Sequence, residues 1–290
     1  MFNVDDMVAD LWPKDNPDSW QERLVRRLVR PVYLQALKSN SWQKRLIRTL
    51  VYEKEFQALA TRYPQHRGLD MVEKLLESLN LRCGVSERSL AQIPERGPLI
   101  IVSNHPTGLA DGFVLMNAVS RVRRDVRAIV NPLLMYLEPM TSLAIPFDKN
   151  NPRVSEDGRR QMDKQLEDGG VLMLCPAGDV SRMTAGGLQD RQWRAGFVRL
   201  ARKYRAPVLP VFIHGRNGLG YYITATVAPL LAALLLAQQM FRKHDSTMDL
   251  TIGAPIPFDS WGALKLSEPE IAEKFRQHVV QLGKGQPGSF

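Results

Sequence analysis

One histidine and one aspartate have the residue types and the setting that general-base catalysis requires. His105 lies in residues 103–112, Ser-Asn-His-Pro-Thr-Gly-Leu-Ala-Asp-Gly, and Asp111 follows six positions later. An imidazole can take a proton from a hydroxyl group, and a carboxylate at its other ring nitrogen fixes the tautomer. On one continuous helix the two side chains would stand about 120° apart. They can therefore meet only if His105 lies in a loop and Asp111 near the start of the next helix. Alternatively, Asp111 only caps that helix and His105 fills a turn.

Two later loops are rich in glycine and polar side chains. Residues 175–182 read Cys-Pro-Ala-Gly-Asp-Val-Ser-Arg, and residues 214–218 read His-Gly-Arg-Asn-Gly. Gly178 allows the backbone to approach a ligand closely, while Ser181 and Arg182 supply a hydroxyl group and a fork of N–H donors suited to phosphate or carboxylate. Either loop alone is equally typical of an ordinary polar turn.

Each of these three loops follows an apolar run that is typical of a buried strand. Predicted strands span residues 98–103, 126–130, 143–147, 171–175, 207–213 and 248–252. Predicted helices span residues 71–79, 112–122, 154–166 and 190–204. Strands separated by helices of this length predict an α/β fold with a mainly parallel central sheet flanked by helices. Ligands bind such sheets at the carboxyl ends of the strands, where the three loops begin.

The N-terminal part of the chain has a different pattern. Two apolar stripes with four-residue spacing are each led by a tryptophan and interleaved with arginine or lysine: Trp20, Leu24 and Leu28, then Trp42, Leu46 and Leu50. Such helices can lie in a lipid interface with guanidinium groups on phosphates, or they can pack as a hairpin on the core. We predict a basic amphipathic helical segment over residues 1–66 and the main domain over residues 67–290.

Composition limits the compartment and the partners. Of 290 residues 44% are hydrophobic, which excludes a wholly disordered chain, and the net charge of +9 attracts polyanions such as an anionic membrane or an acidic carrier. Cys83 and Cys175 lie far apart and have no metal-ligand spacing, which favours a reducing cytoplasm. The N-terminus lacks a signal-peptide pattern, and the most apolar run, residues 227–237, is shorter than the roughly 20 residues of a spanning helix.

The three loops together resemble the glycerophospholipid acyltransferase superfamily, PlsC-like, and most closely its bacterial hemolysin-like branch, which includes domains tied to ornithine-lipid synthesis. The resemblance extends from about Pro98 to Pro257. Its motifs are residues 104–108 with Asp111, residues 176–182, and residues 209–213 with 215–217.

This resemblance implies a reaction and its participants. His105 would deprotonate an acceptor hydroxyl group, which attacks the acyl thioester of coenzyme A or acyl-carrier protein, while Asp111 holds the imidazole. The donor is a co-substrate, and no cofactor or metal is implied. Lysophosphatidic acid and lyso-ornithine lipid are the leading acceptors, at the inner face of the cytoplasmic membrane. The substrate-binding residues implied are Asn104, Lys149, Gly178, Asp179, Ser181, Arg182 and Arg216.

Departures from the family pattern concern the acceptor more than the reaction. Five residues separate His105 from Asp111, whereas the family usually has four. The extra residue resembles the hemolysin-like branch. Lys149 stands in place of the usual arginine, and a lysine cannot form the bidentate hydrogen bonds that an arginine forms with a phosphate. Ala177 stands in place of the usual glutamate. The reaction class is therefore better determined than the acceptor.

Two other classes of function fit parts of the sequence. A thioester hydrolase would use Cys175 as nucleophile with His105 or His214 as base, although a cysteine that ends a buried strand suits the core. A non-catalytic basic module could bind a membrane or nucleic acid. Nucleic acid is not expected, because aromatic residues on a strand platform and a recognisable reading helix are both lacking.

Overall fold

The computed structural model describes residue 45 and residues 48–148, 151–286 and 288. Its strands are β1 (Arg82–Gly84), β2 (Leu99–Ser103), β3 (Val126–Val130), β4 (Ala144–Pro146), β5 (Val171–Leu174), β6 (Arg182–Thr184), β7 (Gly187–Gln189), β8 (Val208–His214) and β9 (Thr247–Ile252). Its α-helices are α1 (Glu53–Arg62), α2 (Gly68–Ser78), α3 (Glu87–Leu90), α4 (Leu109–Ser120), α5 (Pro152–Glu167), α6 (Gly196–Tyr204), α7 (Leu219–Val227), α8 (Pro229–Phe241), α9 (Phe258–Trp261) and α10 (Glu268–Gly283). Short 3₁₀ helices span Pro132–Tyr136 and Glu138–Leu143.

A central sheet organises the described residues. Its strand order is β1-β9-β8-β2-β5-β3-β4, and a separate two-stranded sheet pairs β6 with β7. All neighbours in the central sheet are parallel except β8 and β9, which are antiparallel. The predicted α/β fold with a mainly parallel sheet flanked by helices is confirmed.

The sheet is buried on both faces because its strands are apolar on both sides. In β2, all five residues are buried. Leu99 and Ile101 join the apolar cluster that includes α2 and α4, whereas Ile100 and Val102 join the opposite cluster, which includes α6 and α10. Successive side chains of a strand point to opposite faces, and full burial of each such side chain stabilises the fold by about 1.5–3 kcal/mol.

Several elements differ from the prediction. The predicted helix over residues 190–204 begins only at Gly196, because Asp190 accepts hydrogen bonds from other loops instead of starting a helix. The pattern also missed the short strands β1, β6 and β7, the paired helices α7 and α8, and α10. The three strands have only three residues each, and α7 and α8 are mainly apolar and lack a clear polar face. By contrast, α10 has a capping box and buried apolar residues at helical spacing, a signal that could have marked it.

Most of the predicted N-terminal amphipathic segment, including Trp20 and Trp42, lies outside the described residues. Its last part forms α1, whose Phe56 and Leu59 are buried in the same cluster as α2 and α4. The division between residues 66 and 67 stays a prediction. Among the described residues, no helix has the length and apolar character needed to cross a membrane.

Candidate active site

Three loops meet because three strands are neighbours. β2 lies between β5 and β8 and is parallel to both, with Val102 opposite Leu174 and Ser103 opposite Val211. The carboxyl ends of parallel strands lie at the same edge of a sheet. The loops that follow β2, β5 and β8 therefore surround one point, and they are the three loops singled out in the sequence.

Asn104 fastens the first loop to the third. Its Nδ2 donates to the carbonyl oxygen of Ile213 at 3.0 Å, and its Oδ1 accepts from the Ile213 N–H at 2.7 Å. The residue is 9% exposed. The amide thus bonds both the N–H and the carbonyl group of Ile213 in β8, which holds the neighbouring His105 close to the third loop.

The histidine and the aspartate come together. His105 Nδ1 lies 3.0 Å from Asp111 Oδ2, and the Asp111 side chain is fully buried while that of His105 is 24% exposed. His105 lies in the loop, and Asp111 is the third residue of α4, the arrangement that their spacing requires. Asp111 also accepts the Gly108 N–H at 2.8 Å, so it caps the helix as well as approaching the imidazole.

Thr107 holds the carboxylate in place. Its backbone N–H donates to Asp111 Oδ2 at 2.8 Å and its hydroxyl donates to Oδ1 at 2.5 Å. Both oxygens of Asp111 are therefore engaged, and rotation of the carboxylate would break these bonds. A carboxylate held 3.0 Å from Nδ1 favours the tautomer with hydrogen on that nitrogen, and in that tautomer Nε2 is the basic atom.

The surroundings of His105 shift its basicity. Burial disfavours the imidazolium, but the Cys175 sulfur and then the Asp111 carboxylate favour it, and together these hold the pKa of His105 well above its ordinary value. The direction rests most securely on Asp111, a carboxylate 3.0 Å away. An imidazole with a raised pKa is a stronger base once it is deprotonated.

Asp190 is a site residue that sequence reasoning missed. It accepts the backbone N–H of His105 at 3.2 Å, the hydroxyl of Ser181 at 2.5 Å and the indole N–H of Trp193 at 2.9 Å. The hairpin of β6 and β7 returns the chain to Ser181 and so brings this carboxylate beside the first loop. No local motif marks Asp190, because it does not follow a strand of the central sheet.

The second loop contributes mainly backbone contacts to His105. The Ser181 N–H donates to the His105 carbonyl oxygen at 2.8 Å, and Ser181 is buried. Gly178 has a φ of 74°, and a Cβ there would come within 3.0 Å of the Arg194 guanidinium, so this turn requires glycine. Asp179 forms an exposed ion pair with Arg191 at 3.2 Å.

Two arginines of the predicted site differ in their surroundings. Arg182 is half-buried, and desolvation followed by the charge of nearby Arg191 lowers its pKa from a very high ordinary value. Arg216 is exposed and lines a cavity together with Asn104 and Ser181. Lys149, the remaining predicted binding residue, lies outside the described residues.

That cavity has a volume of about 450 Å³ and lies beside the loops. Its wall includes Asn104 and Pro106, the two neighbours of His105, but not His105 itself. Arg216 and Arg276 line it as cations, and Asp190 as an anion. The cavity is thus adjacent to the first loop, and the imidazole of His105 is not part of its wall.

Cys175 lies at the end of β5 near the same loop. Its Sγ is 3.4 Å from Ser103 Oγ and 3.9 Å from the Asn104 carbonyl oxygen. The thiol is half-buried. Cys175 is also among the groups that raise the pKa of His105, so the two side chains are neighbours, as the hydrolase interpretation requires.

Within the described ranges, no group of three or more histidine, cysteine, aspartate or glutamate side chains is arranged to hold a metal ion. The chemistry that the site can perform with its own residues is proton transfer at His105, supported by Asp111. The catalytic and binding roles of the predicted residues stay predictions at this stage.

Comparison with known proteins gives consistent matches. A model of the acyltransferase family matches residues 35–278. The chain is 31% identical over 220 residues to a lyso-glycine lipid O-acyltransferase of Phocaeicola vulgatus, covering 73% of this chain and 77% of that protein. It is 29% identical over 222 residues to a protein of the same name from Bacteroides thetaiotaomicron, covering 74% and 80%. Among solved structures, the 1-acyl-sn-glycerophosphate (LPA) acyltransferase PlsC of Thermotoga maritima aligns with a TM-score of 0.45 and 15% identity, over 84% of this chain and 97% of that one.

Proposed function

The chain belongs to the acyltransferase family, and from that premise we propose that it moves a fatty acyl group from a thioester to the free hydroxyl group of a lyso-lipid, with His105 as the general base. The observation that carries this proposal is the 3.0 Å approach of His105 Nδ1 to a fully buried Asp111 carboxylate. A buried carboxylate at one ring nitrogen makes the other nitrogen a directed base.

The reaction is an acyl transfer with a proton cycle. His105 Nε2 takes the proton of the acceptor hydroxyl group while its oxygen attacks the thioester carbonyl carbon. The tetrahedral intermediate collapses as the C–S bond breaks, and the imidazolium returns the proton to the departing thiolate. The products are an ester and a free thiol. Asp111 favours the imidazolium that exists between the two proton transfers.

The acceptor is proposed from relatives and from chemistry. Both curated relatives act, by name, on lyso-glycine lipid, and Ala177 replaces a glutamate that the glycerol-phosphate enzymes usually have. Both points favour a lyso-lipid with an amino-acid headgroup, such as lyso-glycine or lyso-ornithine lipid, over lysophosphatidic acid. Arg182 and Arg216 are suited to a headgroup carboxylate as well as to a phosphate.

The donor is proposed to be acyl-coenzyme A or acyl-carrier protein. Both are anionic, and the net charge of +9 favours their encounter with this protein. The same charge supports action at the inner face of the cytoplasmic membrane, whose anionic lipids attract basic proteins. The free thiols of Cys83 and Cys175 are in keeping with a reducing compartment.

The test is an acyl-transfer assay with purified protein and defined lipids. Lyso-glycine lipid, lyso-ornithine lipid and lysophosphatidic acid are each offered with palmitoyl-coenzyme A or palmitoyl-carrier protein, and ester product is measured by mass spectrometry. We expect an amino-acid lyso-lipid to give the highest kcat/KM. Preference for lysophosphatidic acid would refute the acceptor, and absence of ester with every pair would refute the function.

A cysteine substitution separates acyl transfer from thioester hydrolysis. The variant Cys175→Ser removes the only nucleophile that a cysteine hydrolase could use beside His105, so a hydrolase would lose its activity. If His105 acts as a general base on the acceptor, this variant keeps ester formation close to the wild-type rate. Release of free fatty acid that stops in Cys175→Ser would instead favour the hydrolase.

A further inference from the structure

Residues 219–241 contain no charged side chain. They form α7 and α8, two helices that pack against each other and that we call the apolar hairpin. Arg216 precedes it and Arg242 follows it in the chain, and both are exposed. The hairpin is therefore an uncharged unit between basic residues.

One side of the hairpin is exposed and apolar. Leu219, Ile223 and Val227 are 68%, 58% and 75% exposed, and their four-residue spacing places them on one face of α7. Leu231 of α8 is 42% exposed, and Met183, on the β6 strand that contacts α7, is 53% exposed. Large exposed apolar patches of this kind mark sites of interaction.

The other side of the hairpin is fixed to the first of the three loops, residues 103–112, which we call the His105 loop. Tyr222 is buried, its hydroxyl donates to the Pro106 carbonyl oxygen at 3.1 Å, and it accepts the Asn217 N–H at 2.8 Å. Leu236 packs so closely on Gly108 that a Cβ on this glycine would lie 2.6 Å from it. Because these contacts fix the hairpin to the loop, a partner bound to the exposed face would lie close to His105.

We propose that the exposed face of the apolar hairpin inserts into an anionic lipid bilayer and so sets the His105 loop at the membrane surface. This rests on the proposed function, because a lyso-lipid acceptor has its acyl chain in the bilayer. A helix with an apolar face lies in the membrane interface with that face among the acyl chains. Arg216 and Arg242 would then meet anionic headgroups.

A bilayer suits this surface better than a second copy of the chain. A second copy carries the same net charge of +9 and the same exposed arginines that flank the hairpin in the chain, and like charges repel. An anionic bilayer offers opposite charge around an apolar interior. The charge distribution therefore selects the lipid surface as the occupant.

Vesicle binding tests the proposal on the full-length protein. The triple variant Leu219→Asp/Ile223→Asp/Val227→Asp is compared with wild type in flotation with vesicles of phosphatidylglycerol and phosphatidylethanolamine. Since three carboxylates would have to enter the apolar layer, we expect the partition coefficient to fall by about 100-fold or more. Leu264→Asp, at an apolar residue that is 40% exposed and outside the hairpin, is the matched control and should bind as wild type. Circular dichroism and thermal melting confirm that both variants fold.

A fluorescent probe tests insertion directly, whatever other segments bind lipid. In Ile223→Trp, we expect vesicles with brominated acyl chains to quench fluorescence beyond that of wild type. In Leu264→Trp, no extra quenching is expected. Equal quenching in the two variants, or unchanged vesicle binding of the triple variant, would overturn the proposal. So would a dimer in light scattering that the triple variant abolishes while lipid binding persists, since a second copy would then occupy the face.

An activity measurement separates this proposal from the proposed function. With the preferred lyso-lipid in vesicles, the triple variant should lose acyl transfer in proportion to its lost binding. With a short-chain acceptor that is monomeric in solution, it should keep the wild-type rate. If wild type binds vesicles through the hairpin but transfers no acyl group to any acceptor, the proposed function fails and the membrane surface stands.

Discussion

The His105 loop and the apolar hairpin lie against each other and are constructed in opposite ways. In the loop, Thr107, Asp111 and Asn104 are buried polar residues whose side chains bond named partners. In the hairpin, charged side chains are absent, and large apolar side chains such as Val227 face outward.

The difference follows from what each surface has to do. Proton transfer requires a base held within hydrogen-bonding reach of its substrate, so the loop is fixed by directional bonds. Insertion among acyl chains needs apolar area rather than direction, so the hairpin face needs no polar partner. Changes to the loop should therefore affect rate and pH dependence, whereas changes to the exposed hairpin face should affect lipid binding.

The largest effect is expected at the base itself. His105→Ala should lower kcat for acyl transfer by about 10²–10⁴-fold, because no other group takes the proton of the acceptor. The matched control is His244→Ala, at an exposed histidine paired with Asp245, which should keep its activity. An unchanged kcat in folded His105→Ala would show that the loop has no base function.

Asp111→Asn should reduce kcat by about 10²-fold and also move the pH profile. The neutral imidazole is the active form, so the wild-type rate rises with pH through a midpoint above the ordinary pKa of His105. The carboxylate favours the imidazolium, so its removal lowers that pKa and moves the midpoint to lower pH. Asp179→Asn, which changes an exposed ion pair, should leave the midpoint in place. An unchanged midpoint in Asp111→Asn would contradict the pairing of His105 with Asp111.

The junction between the two regions is tested at Gly108. Its φ is 90°, and a Cβ would collide with Leu236 of the hairpin, so Gly108→Ala should destabilise the fold by about 1–3 kcal/mol and lower kcat as well. Gly112→Ala is the control, since a Cβ there meets no atom within 4 Å. Denaturant unfolding measures both variants, and equal stabilities would mean that loop and hairpin are not tightly packed.

Asp190→Ala is expected to lower kcat the least of these four substitutions. It leaves the His105 N–H, the Ser181 hydroxyl and the Trp193 indole N–H without their acceptor. Each group left unsatisfied costs about 1–3 kcal/mol of stability, and His105 is held less firmly. We expect a lower kcat with little change in KM. A variant with wild-type kcat would limit Asp190 to a structural role.

Much of this protein is readable from local patterns. Apolar runs predicted the strands β2, β3, β5 and β8 within one or two residues of their observed ends. The family suggested by the three loops is confirmed, as is the O-acyltransferase class. The predicted start of α6 was wrong, because the residues before Gly196 use their polar groups in contacts with other loops.

The sequence by itself determined the buried strands, the loop composition and the basic charge, because these depend on residue types and near-neighbour spacing. Only the tertiary structure decided that Asp190 approaches His105, that Asn104 ties its loop to β8, and that one face of α7 is exposed. Such contacts join residues far apart in the chain, and they exist only once the order of the strands has brought their loops together.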